Sequence, residues 1–165
     1  MTYDARPEAV GSWSFEIREA DESGPLVARV ELKGLSNDGV VRVGGIPFEM
    51  DRDEWGRAYR LLFEGQAVAR AVPTGTLSTR YDLIIESALL VPTAPLGDRT
   101  RFTWAPTDFG GTSYELRAGE ERVGRVEKTA LLFRHYALTF STEVPLALQA
   151  FCFGLMMARL RSQQS

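Results

Sequence analysis

Short stretches of alternating apolar and polar side chains fill the first 140 residues, and one unbroken apolar stretch closes the chain. Trp13, Phe15 and Ile17 alternate with Ser12, Ser14, Glu16 and Arg18, the period of a half-buried strand. Leu26, Ala28, Val30 and Leu32 repeat the pattern against Val27, Arg29, Glu31 and Lys33. Further short strands are expected at Val40–Val43 and Ile46–Met50, then at Gln66–Val72, where Ala67, Ala69 and Ala71 share one face. Others follow at Tyr81–Ile85, Leu89–Val91, Arg101–Trp104, Ser113–Arg117 and Arg122–Val126. A last, aromatic one spans Leu131–Phe140. Turn-forming residues separate them at 21–24, 36–39, 64–65, 73–76, 92–98 and 119. Trp55–Phe63 fits a strand, with Trp55, Tyr59, Leu61 and Phe63 facing inward, but also fits a helical period. Residues 1–11 are polar, hold Pro7 and Gly11, and read as a loose lead-in.

The closing stretch, Val144–Leu160, has a single polar side chain, Gln149, between residues 145 and 158. Its leucines, alanines and methionines are good helix formers, Thr142 is positioned to cap the start, and Pro145 is tolerated in the first turn. Arg159 and Arg161 suit the dipole at the C-terminal end. The expected helix, residues 142–161, is apolar all round, so protein or lipid must enclose it. About 20 residues are needed to span a bilayer. The helix is expected to be buried, with a C-terminal membrane anchor as the alternative.

Ten to twelve short strands followed by one helix point to an all-β barrel or sandwich. A barrel hides its sheet edges, but one of about twelve strands is too wide for its own side chains to fill. The apolar helix supplies the filling. The expected fold is a closed antiparallel barrel of about twelve strands, built from residues 12–140, around a central C-terminal helix. The whole chain, 1–165, forms one domain, and the alanines of 67–71 lie against the helix.

Composition narrows the function. With 165 residues, 44% of them hydrophobic, and a net charge of -3, the chain carries no global attraction for nucleic acid. All basic residues but Lys33 and Lys128 are arginine. The N-terminus lacks the basic and apolar regions of a signal peptide, so a cytoplasmic protein is expected, either free or peripheral to a membrane. The one cysteine, Cys152, falls inside the apolar helix and reads as an inert thiol.

Candidate chemistry is sparse. His135 is the only histidine, and no nucleophile elbow accompanies it. Glu49, Asp51, Asp53 and Glu54 form an acidic patch. Read as a calcium loop from Asp51 it has Asp53 and Gly56 in place, but Trp55 and Leu62 stand where oxygen ligands belong. Asp108-Phe109-Gly110 matches a kinase tripeptide by letters only, and Gly44-Gly45 precedes no phosphate-binding helix. No enzyme activity, cofactor or metal is expected. Arg99 and Arg101, placed on one strand face, together with Arg117, Arg122 and Arg125 around the following hairpin, are the candidate ligand-binding residues. Arginine forks pair well with phosphate. The opposing reading is a solvated face neutralised by Glu115, Glu120, Glu121 and Glu127.

The order of a glycine hairpin, Val123-Gly124-Arg125-Val126, the strand LLFRHYALTF (131–140) and a hydrophobic C-terminal helix resembles the end of the tubby C-terminal-like superfamily. That superfamily includes LURP-one-related proteins and phospholipid scramblases. The segment Trp55–Leu61 is similar to an early strand of that superfamily. The resemblance covers about residues 11–161 and implies a twelve-stranded barrel around a central helix. It further implies a non-enzymatic module that binds anionic phospholipid headgroups or a protein partner. No basic headgroup motif of the family falls on matching positions here, so no functional residue is carried over. A structural or interaction domain without a small-molecule ligand is the alternative.

Overall fold

A computed structural model describes residues 2–19, 23–34, 38–53, 57–75, 79–93, 96–97 and 99–164. Twelve antiparallel strands close into a barrel. They are β1 (Thr2–Pro7), β2 (Ser14–Glu19), β3 (Leu26–Lys33), β4 (Asp38–Val43), β5 (Ile46–Arg52), β6 (Tyr59–Phe63), β7 (Gln66–Pro73), β8 (Tyr81–Ile85), β9 (Arg101–Pro106), β10 (Ser113–Ala118), β11 (Glu121–Lys128) and β12 (Tyr136–Phe140). One helix, α1 (Leu146–Gln164), ends the chain. Each strand pairs with its neighbours in sequence, and β1 pairs with both β2 and β12 to complete the circuit.

The helix fills the barrel. Every residue from Ala147 to Ala158 is buried. Leu148, Phe151, Phe153, Leu155, Met156 and Met157 are fully enclosed, and burying side chains of this size contributes about 1.5–3 kcal/mol each. Strands supply the complementary inward faces: Phe15 and Ile17 on β2, Ala28, Val30 and Leu32 on β3, Trp104 on β9, Leu138 on β12. The central-helix expectation is thus met, and the membrane-anchor alternative is not: the apolar stretch lies inside the sheet. Among the described residues, no helix is long and apolar enough to cross a membrane.

Several local expectations need correction. Residues 2–7 are not a loose lead-in. They form β1, which Pro7 ends and which presents only Ala5 as a fully buried residue. With so little apolar content there was no alternation to read. The helix starts at Leu146, four residues after Thr142, because Pro145 sets the first turn and its carbonyl accepts from the Leu148 and Gln149 N–H groups. The buried Gln149 amide donates to the Val144 carbonyl at 3.0 Å. Leu89–Val91 is not a strand: Ala88–Leu90 makes a 3₁₀ turn whose start is capped by the Ser87 hydroxyl, accepting from the Leu89 N–H. The last strand is Tyr136–Phe140 only, and Leu131, Leu132 and Phe133 stand exposed in the loop before it.

On the alanine strand, Ala69 and Ala71 are fully buried in the core that holds the helix, and Ala67 is half-buried. Ala69 lies between Leu61 and Ile85 in register, and Ala71 between Tyr59 and Leu83. The helix backbone comes nearest β3 and β4. Gly154 marks that approach: a β-carbon there would stand 3.2 Å from Met50 Sδ and 3.4 Å from Val30 Cγ1. Of the segment 55–63, Tyr59–Phe63 is strand. Trp55, Glu54 and Gly56 lie outside the described residues, as do parts of the turns expected at 21–24, 36–39, 73–76 and 92–98.

Because strands alternate in direction, the connections β1–β2, β3–β4, β5–β6, β7–β8, β9–β10 and β11–β12 all open at one end of the barrel. The helix follows β12, enters at the opposite end and brings its C-terminal turn to this one. The two are called here the entry end and the exit end.

Candidate anion-binding site

The five arginines singled out from sequence lie on the outer wall toward the entry end. Arg101 is the exposed first residue of β9, and Arg99 precedes the strand, so the two do not share a strand face. The Arg99 guanidinium lies beside Gly119, in the β10–β11 turn, 3.5 Å from where a β-carbon would be. Arg117 and Arg122 converge on one carboxylate, Glu115, at 3.0 and 3.4 Å. Arg117 Nη1 also donates to the Glu120 carbonyl at 2.8 Å. Arg125 pairs with Glu127 at 3.0 Å and donates to the Ser113 hydroxyl at 3.3 Å. Three of the five are therefore neutralised by acidic neighbours, as the solvated-face reading requires. Exposed pairs of this kind contribute little, about 0–1 kcal/mol each.

A different group of arginines meets at the exit end. The β5–β6 and β7–β8 connections and the last turns of α1 enclose a cleft of about 590 Å³. Arg52, Arg57 and Arg159 line it, with Tyr59, Tyr81 and Ser162 between them. Arg52 Nε and Nη2 donate to the Tyr59 hydroxyl at 3.2 and 2.9 Å. Tyr59 and Tyr81 meet edge to face with ring centroids 6.3 Å apart. Among the described residues, none of the three arginines forms an ion pair within 4.0 Å, and Arg159 Nε is buried without a hydrogen-bond partner. Burial and the neighbouring Tyr59 push the Tyr81 hydroxyl above its ordinary range, while Arg159 and Arg52 pull the other way.

A second cleft of about 390 Å³ adjoins the first and shares Arg159 with it. Its walls include Phe109, Tyr114 and Leu160. Asp108 lies at its edge, and Thr112 donates to the carboxylate through both backbone N–H, at 2.9 Å, and hydroxyl. Partial burial raises the Asp108 pKa, but these hydrogen bonds and those from neighbouring backbone outweigh it and hold the carboxyl below its ordinary range.

The remaining candidates fall into structural roles. Burial pushes the Cys152 thiol well up, away from the thiolate that nucleophilic chemistry needs. His135 stacks on Phe133 at 5.5 Å between ring centroids. In the acidic patch, Asp51 takes a two-pronged contact from Arg60, at 2.9 and 2.8 Å.

Sequence reasoning missed the exit-end cleft because its arginines are 107 positions apart at the extremes, Arg52 to Arg159. Only barrel closure and helix direction bring them together. The usable signal in the sequence is the cationic end of the helix itself, Arg159 and Arg161. The chain matches no protein-family model and no curated protein.

Proposed function

We propose that this barrel is a non-enzymatic binding module that takes the anionic headgroup of a phospholipid in the exit-end cleft. The observation that carries the reading is the meeting of Arg52, Arg57 and Arg159 around one cavity with no carboxylate paired to them among the described residues. Like charges gathered without a counter-charge are unfavourable for folding alone, and such sites are recurrent binding sites. Guanidinium groups offer paired donors that match phosphate oxygens. The resemblance to the tubby-like superfamily supports the same class of ligand. The helix already fills the barrel, so a ligand must use the rim or the outer wall.

The test is a calorimetric titration with soluble headgroup mimics, glycerol phosphate and inositol trisphosphate. Each charge-assisted hydrogen bond is worth about 1.5–3 kcal/mol, so Arg159→Ala and Arg52→Ala are each expected to weaken binding at least about tenfold. Arg117→Ala and Arg122→Ala, on the outer wall, should leave it unchanged. Absence of saturable binding by the wild-type protein would defeat the proposal, as would equal affinities in the exit-end variants.

A further inference from the structure

Among the described residues, five large apolar side chains stand in water at the exit end. They are Val10 (99% exposed), Phe109 (113%), Leu131 (96%), Leu132 (90%) and Phe133 (59%). Scattered apolar residues on a surface are ordinary. These are not scattered: they occupy the β1–β2, β9–β10 and β11–β12 connections, which are consecutive around one rim because β1 follows β12 in the barrel. Among the described residues the entry end shows only Leu26 and Ile46, at the starts of β3 and β5, and Leu89, before β9, each less exposed at 40%, 51% and 57%.

The loops bearing the apolar tips are tied together. Lys128 N–H donates to the Thr112 carbonyl at 2.9 Å, joining the end of β11, where the β11–β12 connection begins, to β9–β10. The Arg134 guanidinium lies over the Trp13 ring at 4.3 Å, joining β11–β12 to β1–β2. Thr129 N–H closes the base of its own loop on the His135 carbonyl at 2.8 Å. Hydrogen-bonded structure therefore holds these side chains outward. The chain spends a strongly apolar segment, Leu131–Phe133, on solvent contact instead of extending β12 with it.

Continuing around the rim, the β7–β8 and β5–β6 connections follow, and with them the arginine cleft. Arg159 borders both arcs, since it lines the arginine cleft and the one that holds Phe109. One end of the molecule thus presents an apolar arc beside a cationic arc. We infer that the exit end is a membrane-docking face: Leu131, Leu132, Phe133, Phe109 and Val10 enter the interfacial layer of a bilayer while the cleft engages an anionic phospholipid. This rests on the headgroup reading and adds the partner surface and its orientation. Apolar insertion and attraction of basic residues to anionic lipid are the two recognised contributions to such binding. Charge selects the bilayer over a second copy of the chain, because an end-to-end copy would set the three arginines against one another, while the carboxylates at this end, Asp53 and Asp108, already accept hydrogen bonds within their own loops.

Vesicle co-sedimentation tests this on the full chain, with phosphatidylcholine vesicles and with phosphatidylcholine–phosphatidylserine vesicles. The wild-type protein is expected to bind the anionic vesicles and to bind more weakly as salt rises. Leu132→Ser and Phe133→Ser, at exposed positions where the fold has little at stake, should each weaken vesicle binding about tenfold, or about 1.4 kcal/mol. Both should leave binding of soluble inositol trisphosphate unchanged. Arg159→Ala should weaken both. If the loop variants sediment like the wild type, the docking face is refuted and the headgroup site stands. If they lose vesicle binding while Arg159→Ala loses neither readout, insertion stands and the headgroup site fails. Vesicle-free dimerisation that Leu132→Ser abolishes would assign the apolar arc to self-association and overturn the proposal.

Discussion

Phe153, on the helix, meets Phe15, on β2, edge to face, with ring centroids 5.1 Å apart and planes at 85°. Tyr136 of β12 completes the contact at 5.5 Å from Phe153. Strands on either side of β1 thus grip the same helical ring, so the seam that closes the barrel and the packing of its plug are one piece of structure. Phe153→Ala removes that ring from a site with no solvent access. The expected loss is about 3–5 kcal/mol, read as a lowered urea midpoint, and a smaller loss is expected for Phe153→Leu. A change under about 1 kcal/mol would mean the helix is not the barrel's core.

Two glycines give opposite expectations. Gly124, on β11, lies under the Phe140 ring of β12, and a β-carbon there would sit 2.1 Å from Cδ1. Gly124→Ala is expected to cost about 1–3 kcal/mol, because the ring must leave a stack that also involves Trp104. In a Phe140→Leu background the same change should cost less, a non-additivity that a double-mutant cycle reads directly. Gly154→Ala meets only Val30 and the end of the Met50 side chain, which can swing. It also gains about 1 kcal/mol of helix propensity, so its net effect should fall within about 1 kcal/mol of zero.

Alkaline pH should unfold the protein through its tyrosines. Burial pushes Tyr114 and Tyr136 up to about 12, and Tyr81 is raised as well, from an ordinary value of 10.0. The folded state keeps these protons after the unfolded state has lost them. Their contribution is complete below pH 10 and disappears as the pH climbs from 10 toward about 12. Urea midpoints should fall across that range, and Tyr114→Phe with Tyr136→Phe should flatten the fall. An unchanged slope in the double variant would refute the assignment.

The barrel and its plug were legible because both depend on local pattern. Strands with Phe15 and Ile17, or Ala28, Val30 and Leu32, facing inward alternate visibly, and a helix with no wet face demands an enclosure. The exit-end site was not legible, for two physical reasons. Arg52 and Arg159 become neighbours only through closure. And Leu131–Phe133 looked like strand because apolar residues are normally buried; nothing local distinguishes a buried run from one held out in a loop. Three of the outer-wall arginines illustrate the converse, since Glu115 and Glu127 lie within ten positions of Arg117, Arg122 and Arg125 and do neutralise them.

The seam supplies the sharpest test of closure. Ala5 is fully buried in β1, opposite Tyr136 on one side and Ile17 on the other. A central strand donates its N–H groups to neighbours, and proline has none to give. Were residues 1–11 a loose lead-in, Ala5→Pro would be silent. In a closed barrel it breaks the ladder, and a buried acceptor left unpaired costs about 1–3 kcal/mol before any steric strain. Losing β1 altogether frees the edges of β2 and β12 to pair with other molecules. A chain lacking residues 2–7 should therefore scatter light on standing, and a peptide of residues 1–12 added during refolding should suppress that scatter. A monodisperse truncated protein as stable to urea as the full chain would show that β1 is dispensable and the barrel open.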